Sequence, residues 1–305
     1  MNSYSKGLVS VIIPTYKRSD KLSRAIESVL SQTYSDLELL LINDNNPDDE
    51  YSKKLPEVIS KFTKDSRFHL LNQPKHINGA VARNYGVSQA KGEYIAFLDD
   101  DDWWKPNKLT FQVKAFSELS SEVGIVSCKI ERYNNNHLIA KLPRYNGGYV
   151  YKDILMLKSD FATGTLMIRH CIIDELGGFD EKLLRHQDLQ LLVNLTYKYK
   201  LYQVNEYLHC CDISDGQNRP NVDKIKKAKK AFFSSINQIF LTLTKKEQQA
   251  VKRVHLFEVG YVELKNKHII TSIIHMGQVV LSYSAFCTVL NKIKMKYESK
   301  RLVNK

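Results

Sequence analysis

Four consecutive aspartates, at residues 99–102, are the part of the sequence with the clearest chemical potential. Side chains alternate along an extended chain, so Asp99 and Asp101 can point to the same side. Two unpaired carboxylates that lie close together repel unless a cation lies between them or one becomes protonated. Their oxygens suit Mg²⁺ or Mn²⁺, which proteins commonly bind with one or two carboxylates and substrate phosphates. The run therefore favours a site for such a cation; the alternative is a solvated acidic turn before the helix that Pro106 opens.

The aspartates follow a buried strand in a chain that alternates strand and helix patterns. Apolar, β-branched runs predict strands at residues 8–13, 37–42, 67–71, 93–98 and 123–128. Helical spacing of apolar residues predicts four helices. They cover residues 22–30, a segment that includes Val58 and Phe62, residues 79–90, and a segment that begins at Pro106. Strand–helix–strand repetition of this kind predicts an α/β fold with a parallel sheet.

Polar side chains follow three of these strands at the point where each strand ends. Residues 14–16 are Pro-Thr-Tyr, residues 43–44 are Asn-Asp, and residues 99–102 are the aspartates. Open parallel sheets bind their ligands at the carboxyl ends of the strands. The sequence therefore predicts a ligand site that these three strand ends build together.

Five segments resemble the motifs of the family 2 inverting glycosyltransferases, in the order and spacing of that family. They are VSVIIPTYKR (9–18), SVLSQTY (28–34), NGAVARN (78–84), GEYIAFLDDDDW (92–103) and GGFDEKLLRHQD (177–188). The resemblance covers about residues 8–199 and is to bacterial enzymes of surface polysaccharide synthesis. It implies the GT-A fold, a nucleotide-binding α/β sandwich with a mostly parallel central sheet. We expect this catalytic domain over residues 1–215, followed by a basic helical C-terminal region over residues 216–305.

The resemblance also implies roles for individual residues of the donor site. Those that would contact the nucleotide sugar are Pro14, Thr15, Tyr16, Asp44, Arg83, Asp99 and Asp100. The ring of Tyr16 would lie near the base, and Asp44 would accept a hydrogen bond from the uracil. Asp99 and Asp100 would face the ribose and the sugar. Asp101, with Asp99, would bind Mn²⁺ or Mg²⁺ at the diphosphate. The family often has Asp-Asp-Gly-Ser where this chain has Asn-Asp-Asn-Asn at residues 43–46.

Asp188 corresponds to the general base of the family. The usual pair is Glu-Asp, whereas this chain has Gln187 and Asp188, which leaves a single carboxylate to accept a proton. By position alone, Asp188 is also an ordinary acidic residue in the first turn of a helix that Leu189 and Leu192 continue. The implied reaction is inverting: the cation offsets charge on the leaving UDP, and Asp188 deprotonates the hydroxyl that attacks C1.

The positive charge of the chain is concentrated at its C-terminal end. The net charge is +12, and residues 216–305 alone contain 18 basic and 5 acidic residues. Five lysines lie between residues 224 and 230. Anionic membrane surfaces attract such segments, so we expect this region to contact a membrane surface, with a solvated or dimer-forming face as the alternative. Nucleic acid also attracts basic patches, but no recognition motif is present and we expect no nucleic-acid partner.

Residues 268–291 lack Lys, Arg, Asp and Glu. A spanning helix needs about 20 predominantly apolar residues, and polar residues dilute this stretch, so we expect a packed or interface-lying helix. No long apolar stretch precedes Leu8 and the five cysteines have no metal-binding spacing, so we expect no signal peptide and reduced thiols. The expected location is cytoplasmic, peripheral on the inner face of the cell membrane.

The sequence therefore predicts transfer of a hexose or N-acetylhexosamine from a UDP-sugar to a lipid-linked saccharide during surface polysaccharide assembly. Two alternatives keep the nucleotide fold. One is a catalytically inactive nucleotide-binding scaffold at the membrane. The other is a sugar nucleotidyltransferase, which would need a glycine-rich, lysine-containing phosphate loop after the first strand. Residues 14–19, Pro-Thr-Tyr-Lys-Arg-Ser, lack those glycines.

Overall fold

The computed structural model describes residues 4–18, 20–142, 147–158, 161–214 and 221–303. The strands are β1 (Ser5–Thr15), β2 (Leu37–Asn43), β3 (Phe68–Asn72), β4 (Gly92–Phe97), β5 (Trp103–Trp104), β6 (Val123–Asn134), β7 (His137–Lys141), β8 (Met167–Arg169) and β9 (Lys200–Asp212). The helices are α1 (Leu22–Leu30), α2 (Glu50–Ile59), α3 (Gly79–Gln89), α4 (Lys108–Glu118), α5 (Tyr151–Leu155), α6 (His170–Leu176), α7 (Gln187–Lys198), α8 (Val222–Ser235), α9 (Asn237–Leu241), α10 (Lys245–Lys265), α11 (Ile269–Gly277) and α12 (Tyr283–Arg301).

The strands of this described part form one sheet in the order β3-β2-β1-β4-β8-β6-β9-β5, and β7 extends it as a hairpin on β6. β3, β2, β1 and β4 run parallel to one another, and β6 is parallel to β9. The short strand β8 runs antiparallel to both β4 and β6 and joins the two parallel groups. The predicted α/β class with a mostly parallel sheet is confirmed.

The sheet separates two apolar cores, and the alternation of side chains along each strand assigns residues to one or the other. Val9, Val11 and Ile13 of β1 point to the core that contains α1, α2 and α4. Ile12 points the opposite way, into the core that contains α3, α7 and helices of the C-terminal region. Because both faces are covered, β2 is buried along its whole length, which explains the four consecutive apolar residues at 39–42.

β1 is longer than the sequence predicts and includes Pro14, a residue that normally interrupts a central strand. The proline is tolerated because the pairing of β1 with β4 ends at Ile12 and Phe97, before Pro14 is reached. On its other side β1 continues to pair with β2 as far as Thr15 and Asn43. Thr15 and the residues after it therefore lie at the open end of the sheet.

The C-terminal region is helical, as predicted. It packs into the core that also contains α3 and α7. Phe232 of α8, Phe240 of α9 and Val254 of α10 belong to the same buried cluster as Ile12 and Ile95. The expected domain boundary at residues 216–220 lies outside the described residues, so the division at 215 stays a prediction.

The apolar stretch of residues 268–291 is not one continuous helix. It forms α11, a 3₁₀ turn over Gln278–Leu281, and the first half of α12. The two segments meet at 114°. Among the described residues, every helix falls short of the length and apolar content needed to cross a membrane alone, and only this bent pair passes that test when taken together.

Gly86 is required where α3 packs on β1. A β-carbon at position 86 would lie 2.6 Å from Cγ2 of Ile12, which is fully buried. We predict that Gly86→Ala lowers the free energy of unfolding by about 1–3 kcal/mol, the usual effect of overpacking, although alanine favours a helix by about 1 kcal/mol. Urea unfolding measures this change.

Gly277→Ala is the matched control, because a β-carbon there would meet no atom within 4 Å. This variant should be as stable as the wild type or slightly more stable. Equal stability of Gly86→Ala and the wild type would contradict the close packing of α3 on β1.

Candidate functional site

The polar residues at the ends of β1, β2 and β4 converge on one cavity of about 460 Å³. It is lined by Pro14, Tyr16, Lys17, Arg18, Asp44, His76, Gly79, Arg83, Asp99, Asp100 and Asp101. The three strand ends that the sequence singles out are therefore brought together. Thr15 is buried behind the cavity wall, and Asp188 lies beside the cavity and not on its lining.

Two arginines hold the carboxylates at the end of β4. Arg83 Nη2 donates to Asp99 Oδ1 at 2.6 Å. Arg18 Nη1 donates to Asp100 Oδ1 at 3.1 Å and lies 2.6 Å from Asp101 Oδ2. The chain turns here, because the Asp102 N–H bonds to the Asp99 carbonyl at 3.1 Å. The simple alternation expected for an extended chain is therefore wrong: Asp100 and Asp101 reach the same arginine.

The electrostatics of the three carboxylates show that two arginines do not fully balance them. Burial, together with the negative charge of Asp102, raises the pKa of Asp101 to about 7 in spite of Arg18. Burial also raises the pKa of Asp100. For Asp99, burial acts in the same direction, but the charge and hydrogen bond of Arg83 help to lower its pKa overall. An additional cation would relieve this excess of negative charge, and hard carboxylate oxygens fit Mg²⁺ or Mn²⁺.

A second polar group occupies the other end of the cavity. The rings of Tyr16 and His76 stack with centroids 3.6 Å apart and planes 9° apart. His76 Nδ1 lies 2.9 Å from Asp44 Oδ2. Asp44 Oδ1 is buried and has no hydrogen-bond partner among the described residues. At this spacing the two rings are in contact, so a planar ligand cannot enter between them unless His76 moves.

The turn after β2 retains Asp44 although its neighbours differ from the family pattern. Asn43 Nδ2 donates to Asn72 Oδ1 at 2.9 Å, and its own Oδ1 accepts from Asn45 Nδ2 at 2.9 Å. Asn45 Oδ1 in turn accepts the Lys17 N–H at 2.7 Å. The asparagines therefore tie the end of β2 to β3 and to the loop after β1, and leave the Asp44 carboxylate facing the cavity.

Asp188 lies in the first turn of α7, next to the mouth of the cavity. A β-carbon at Gly79, which lines the cavity, would lie 3.8 Å from Oε1 of the neighbouring Gln187. Burial raises the pKa of Asp188, although the Leu189 N–H and the charge of Arg83 oppose that shift. A carboxylate with a raised pKa is a better proton acceptor than an ordinary one.

Backbone contacts fix the segment that leads to Asp188. Gly177 and Gly178 have φ of +81° and +68°, a conformation that favours glycine. Asn84 of α3 then accepts the Phe179 N–H and donates to the Phe179 carbonyl, both at 2.9 Å. Asp180 accepts the Lys182 N–H at 3.0 Å, a contact that orders this loop. Helix α3 therefore connects the cavity to the loop before α7.

Comparison with known proteins identifies the family to which this chain belongs. The sequence model described as glycosyl transferase family 2 matches residues 10–177, more than half of the chain. The chain belongs to this family. It is therefore a glycosyltransferase, and the predicted recognition is confirmed.

Two relatives of this glycosyltransferase have informative names. One is the UDP-Glc:alpha-D-GlcNAc-diphosphoundecaprenol beta-1,3-glucosyltransferase WfgD of Escherichia coli, 38% identical over 134 residues, which cover 44% of this chain and 50% of WfgD. The other is the putative teichuronic acid biosynthesis glycosyltransferase TuaG of Bacillus subtilis, 29% identical over 231 residues, which cover 75% of this chain and 87% of TuaG. The chain thus spans about half of WfgD's own length.

Two solved structures share the fold. Staphylococcus aureus TarS 1–349 in complex with UDP-GlcNAc aligns with a TM-score of 0.58 at 13% identity and covers 96% of this chain and 91% of that one. The mannosyltransferase PcManGT of Pyrobaculum calidifontis, in complex with GDP-Man and Mn²⁺, aligns with a TM-score of 0.51 at 15% identity and covers 95% of this chain and 87% of that one. The GT-A architecture predicted for this glycosyltransferase is confirmed.

Sequence reasoning gave no role to three side chains that line the glycosyltransferase's cavity: Lys17, Arg18 and His76. Arg18 was quoted within the first motif but given no role, although it contacts two of the aspartates. Its position four residues after Pro14, at a strand end, was the available signal. His76 lies in the turn before α3, where no periodicity or motif marks it.

A third feature involves residues far apart in the chain. Donor atoms of Asp102, His209 and Cys211 lie within 4.8 Å of one another. Asp102 Oδ1 already accepts the Asp212 N–H at 2.8 Å, and Oδ2 lies 3.1 Å from His209 Nε2. Burial and the charge of Asp102 raise the pKa of the Cys211 thiol. The contacts of Asp102 with His209 and Asp212 join β9 to the end of β4.

Proposed function

We propose that this glycosyltransferase transfers a sugar from a UDP-sugar to a hydroxyl group of a lipid-linked saccharide, with inversion at C1, in bacterial surface polysaccharide assembly. The observation that carries the proposal is the convergence of Tyr16, Asp44, Arg83 and three aspartates in one cavity at the strand ends. The names of WfgD and TuaG support the UDP-sugar, the lipid-diphosphate acceptor and the polysaccharide pathway.

The two ends of the cavity suit the two ends of a nucleotide sugar. At one end, Tyr16 offers a ring face and Asp44 a buried carboxylate oxygen without a partner, as a uracil base requires. Pro14 lines the cavity, and Thr15 lies behind its wall, where its hydroxyl donates to Asp100 Oδ2 at 2.8 Å. At the other end, Arg18 and Arg83 supply positive charge for a diphosphate, and Asp99 and Asp100 face the ribose and sugar.

Asp101 and Asp99 would hold the divalent cation, Mn²⁺ or Mg²⁺. When bound, the cation supplies a Lewis acid that offsets the charge developing on the leaving UDP. The raised pKa of Asp101 agrees with this assignment, because burial and the charge of Asp102 both disfavour the ionised carboxylate that a bound cation would stabilise. The presence of Mn²⁺ in the PcManGT complex agrees with it.

Asp188 would act as the general base. Its carboxylate accepts the proton of the acceptor hydroxyl while the oxygen attacks C1 from the face opposite UDP. The neutral Gln187 beside it adds no second carboxylate that could share this proton. The raised pKa of Asp188 and its electrostatic interaction with Arg83 and Asp99, two residues that line the cavity, support this role.

The acceptor would be reached at the inner face of the cell membrane, with the basic C-terminal region on the membrane surface and the enzyme in the cytoplasm. Not every lysine of that region is available for this contact. Lys226 lies 2.7 Å from Glu263 and the buried Lys229 lies 2.5 Å from Glu258. Lys224, Lys227 and Lys230 are exposed. A homodimer through this region is the alternative.

The base assignment predicts a specific loss of transfer. Asp188→Asn should lower kcat by about 100-fold or more, the usual contribution of general base catalysis, because the amide cannot accept the proton. UDP affinity should stay within about twofold of the wild type, since the side chain lies outside the donor cavity. UDP release from a panel of UDP-sugars, with Mn²⁺ and a diphospholipid-linked acceptor, measures the rate.

Asp223→Asn provides the control, because Asp223 also lies in the first turn of a helix but is exposed on α8. It should keep wild-type activity. Wild-type transfer by Asp188→Asn would refute the base assignment. UDP binding without turnover by the wild type on any acceptor would instead favour the inactive scaffold.

The stacked pair at the base end predicts an unusual gain of affinity. UDP must displace His76 from Tyr16 and Asp44, and a stacked aromatic pair is worth about 0.5–1.5 kcal/mol. His76→Ala should therefore bind UDP about 2- to 10-fold more tightly, as measured by isothermal titration calorimetry with Mn²⁺.

His137→Ala on the exposed hairpin strand β7 should leave the UDP affinity unchanged. Weaker binding by His76→Ala would show that His76 contacts the bound nucleotide and does not obstruct it.

A further inference from the structure

Helices α11 and α12 carry an apolar surface that faces solvent. On α11, Ile269, Ile270, Ile273 and Ile274 follow helical spacing on one side, and Ile270 is 76% exposed. On α12, Tyr283, Phe286, Leu290, Ile293 and Tyr297 repeat every three or four residues, which places them along one stripe. We call these two exposed stripes the α11–α12 face.

The packing of α11 is the reverse of that expected for a helix in water. Its buried residue is Ser272, whose hydroxyl donates to the Gly260 carbonyl of α10 at 2.8 Å. Gly260 allows this close approach, because a β-carbon there would lie 2.7 Å from Met276 Cγ. The small, polar side of α11 therefore contacts the protein, and the isoleucines point away from it.

The charges around the α11–α12 face are mostly positive, although Glu298 lies 3.8 Å from Lys294. No Asp or Glu occurs between residues 264 and 297, whereas Lys265, Lys267, Lys292, Lys294 and Lys296 lie at its two ends. Lys292 is 3.9 Å from Glu258, and the other four are exposed. An apolar helical face flanked by lysines is the composition of a helix that lies in the plane of an anionic membrane interface.

We propose that the α11–α12 face docks on an anionic phospholipid bilayer, with the isoleucine stripe in the interface and the lysines at the level of the headgroups. The bend of 114° between the segments suits helices that lie in the membrane surface and do not cross it. The inference deepens the proposed membrane contact of the C-terminal region and rests on it. The membrane contact is placed on α11 and α12 and not on the lysines of α8, because two of those lysines are held in ion pairs.

A second copy of the chain is the competing occupant of this face. In a two-fold symmetric dimer each patch meets the same patch of its partner. The five flanking lysines would then approach lysines of equal charge, and Glu298, which lies 3.8 Å from Lys294, offsets only part of that repulsion. An anionic lipid surface complements both the apolar stripes and the charge, so it is the favoured partner.

Vesicle flotation tests the proposal with the full chain and no saccharide acceptor. Wild-type protein should float with vesicles of mixed phosphatidylglycerol and phosphatidylcholine, with a partition coefficient about tenfold higher than on phosphatidylcholine alone. The double variant Ile270→Ser, Ile273→Ser should lose about tenfold or more of this binding. Lys294→Glu with Lys296→Glu should lose the preference for the anionic lipid.

Leu241→Ser is the matched control, because Leu241 on α9 is 63% exposed but lies outside the α11–α12 face. It should bind vesicles as the wild type does. Circular dichroism and thermal unfolding should show that the surface variants fold, since the isoleucines they replace make few contacts within the protein.

The outcomes separate this proposal from the proposed function. Equal vesicle binding by the isoleucine variant and the wild type would overturn the docking surface. So would a wild-type dimer in light scattering that the isoleucine variant converts to a monomer, with no vesicle binding by either. UDP release with a water-soluble acceptor analogue should be unchanged in the isoleucine variant. Vesicle binding without any transfer by the wild type would refute the proposed function and leave the docking surface standing.

Discussion

Asp99, Asp100 and Asp101 follow one strand directly, and their carboxylates can lie together only where positive charge offsets their repulsion. The offset comes from two places in the chain: Arg18 from the loop after β1 and Arg83 from α3. The charge balance at the end of β4 therefore requires β1, β4 and α3 to meet at one corner of the sheet. Arg18 and Arg83 do not offset all of the negative charge of the three carboxylates. The same group of aspartates that these arginines hold at the end of β4 can therefore also bind a cation.

The scaffold keeps this corner rigid through packing on both faces of the sheet. Gly86 lets α3 approach Ile12 of β1 closely, so the helix that carries Arg83 is fixed against the strand that leads to Thr15. The same helix holds Phe179 through Asn84 and so positions the loop before Asp188. The donor cavity and the candidate base thus share one support.

The C-terminal helices take part in this support from the other side. Phe232 of α8 lies 5.8 Å from the ring of His186, the residue before α7, and stacks on His255 of α10 at 5.5 Å. Helix α8 therefore packs against the residue before the helix that carries Asp188, and α10 packs on α8 behind it.

Much of the site could be predicted from sequence because it depends on strand ends, and strand ends are marked by local changes from apolar to polar residues. The strands before Thr15, Asp44 and Asp99 are short, apolar runs, and parallel strands bring their ends together. The pairing of Arg18 with Asp100 and Asp101 was not predictable, since it depends on a turn that departs from the extended chain. The stack of His76 on Tyr16 joins two loops with no shared pattern.

The structure of the C-terminal region, in contrast, could not be predicted in detail from the sequence. Composition identified residues 268–291 as uncharged, but neither the break at residues 278–282 nor the outward direction of the isoleucines follows from apolar content alone. The outward direction of the isoleucines depends on the contact of Ser272 with Gly260, a tertiary interaction between two small residues.

Calorimetric titration of the wild-type protein with UDP, with and without Mn²⁺, tests most directly whether the corner at the end of β4 is a donor site completed by a cation. If it is, UDP should bind with one site per chain, and Mn²⁺ should lower the Kd by about tenfold or more, since carboxylates and diphosphate would share the ion. UDP binding that is absent, or that Mn²⁺ leaves unchanged, would contradict this account of the site.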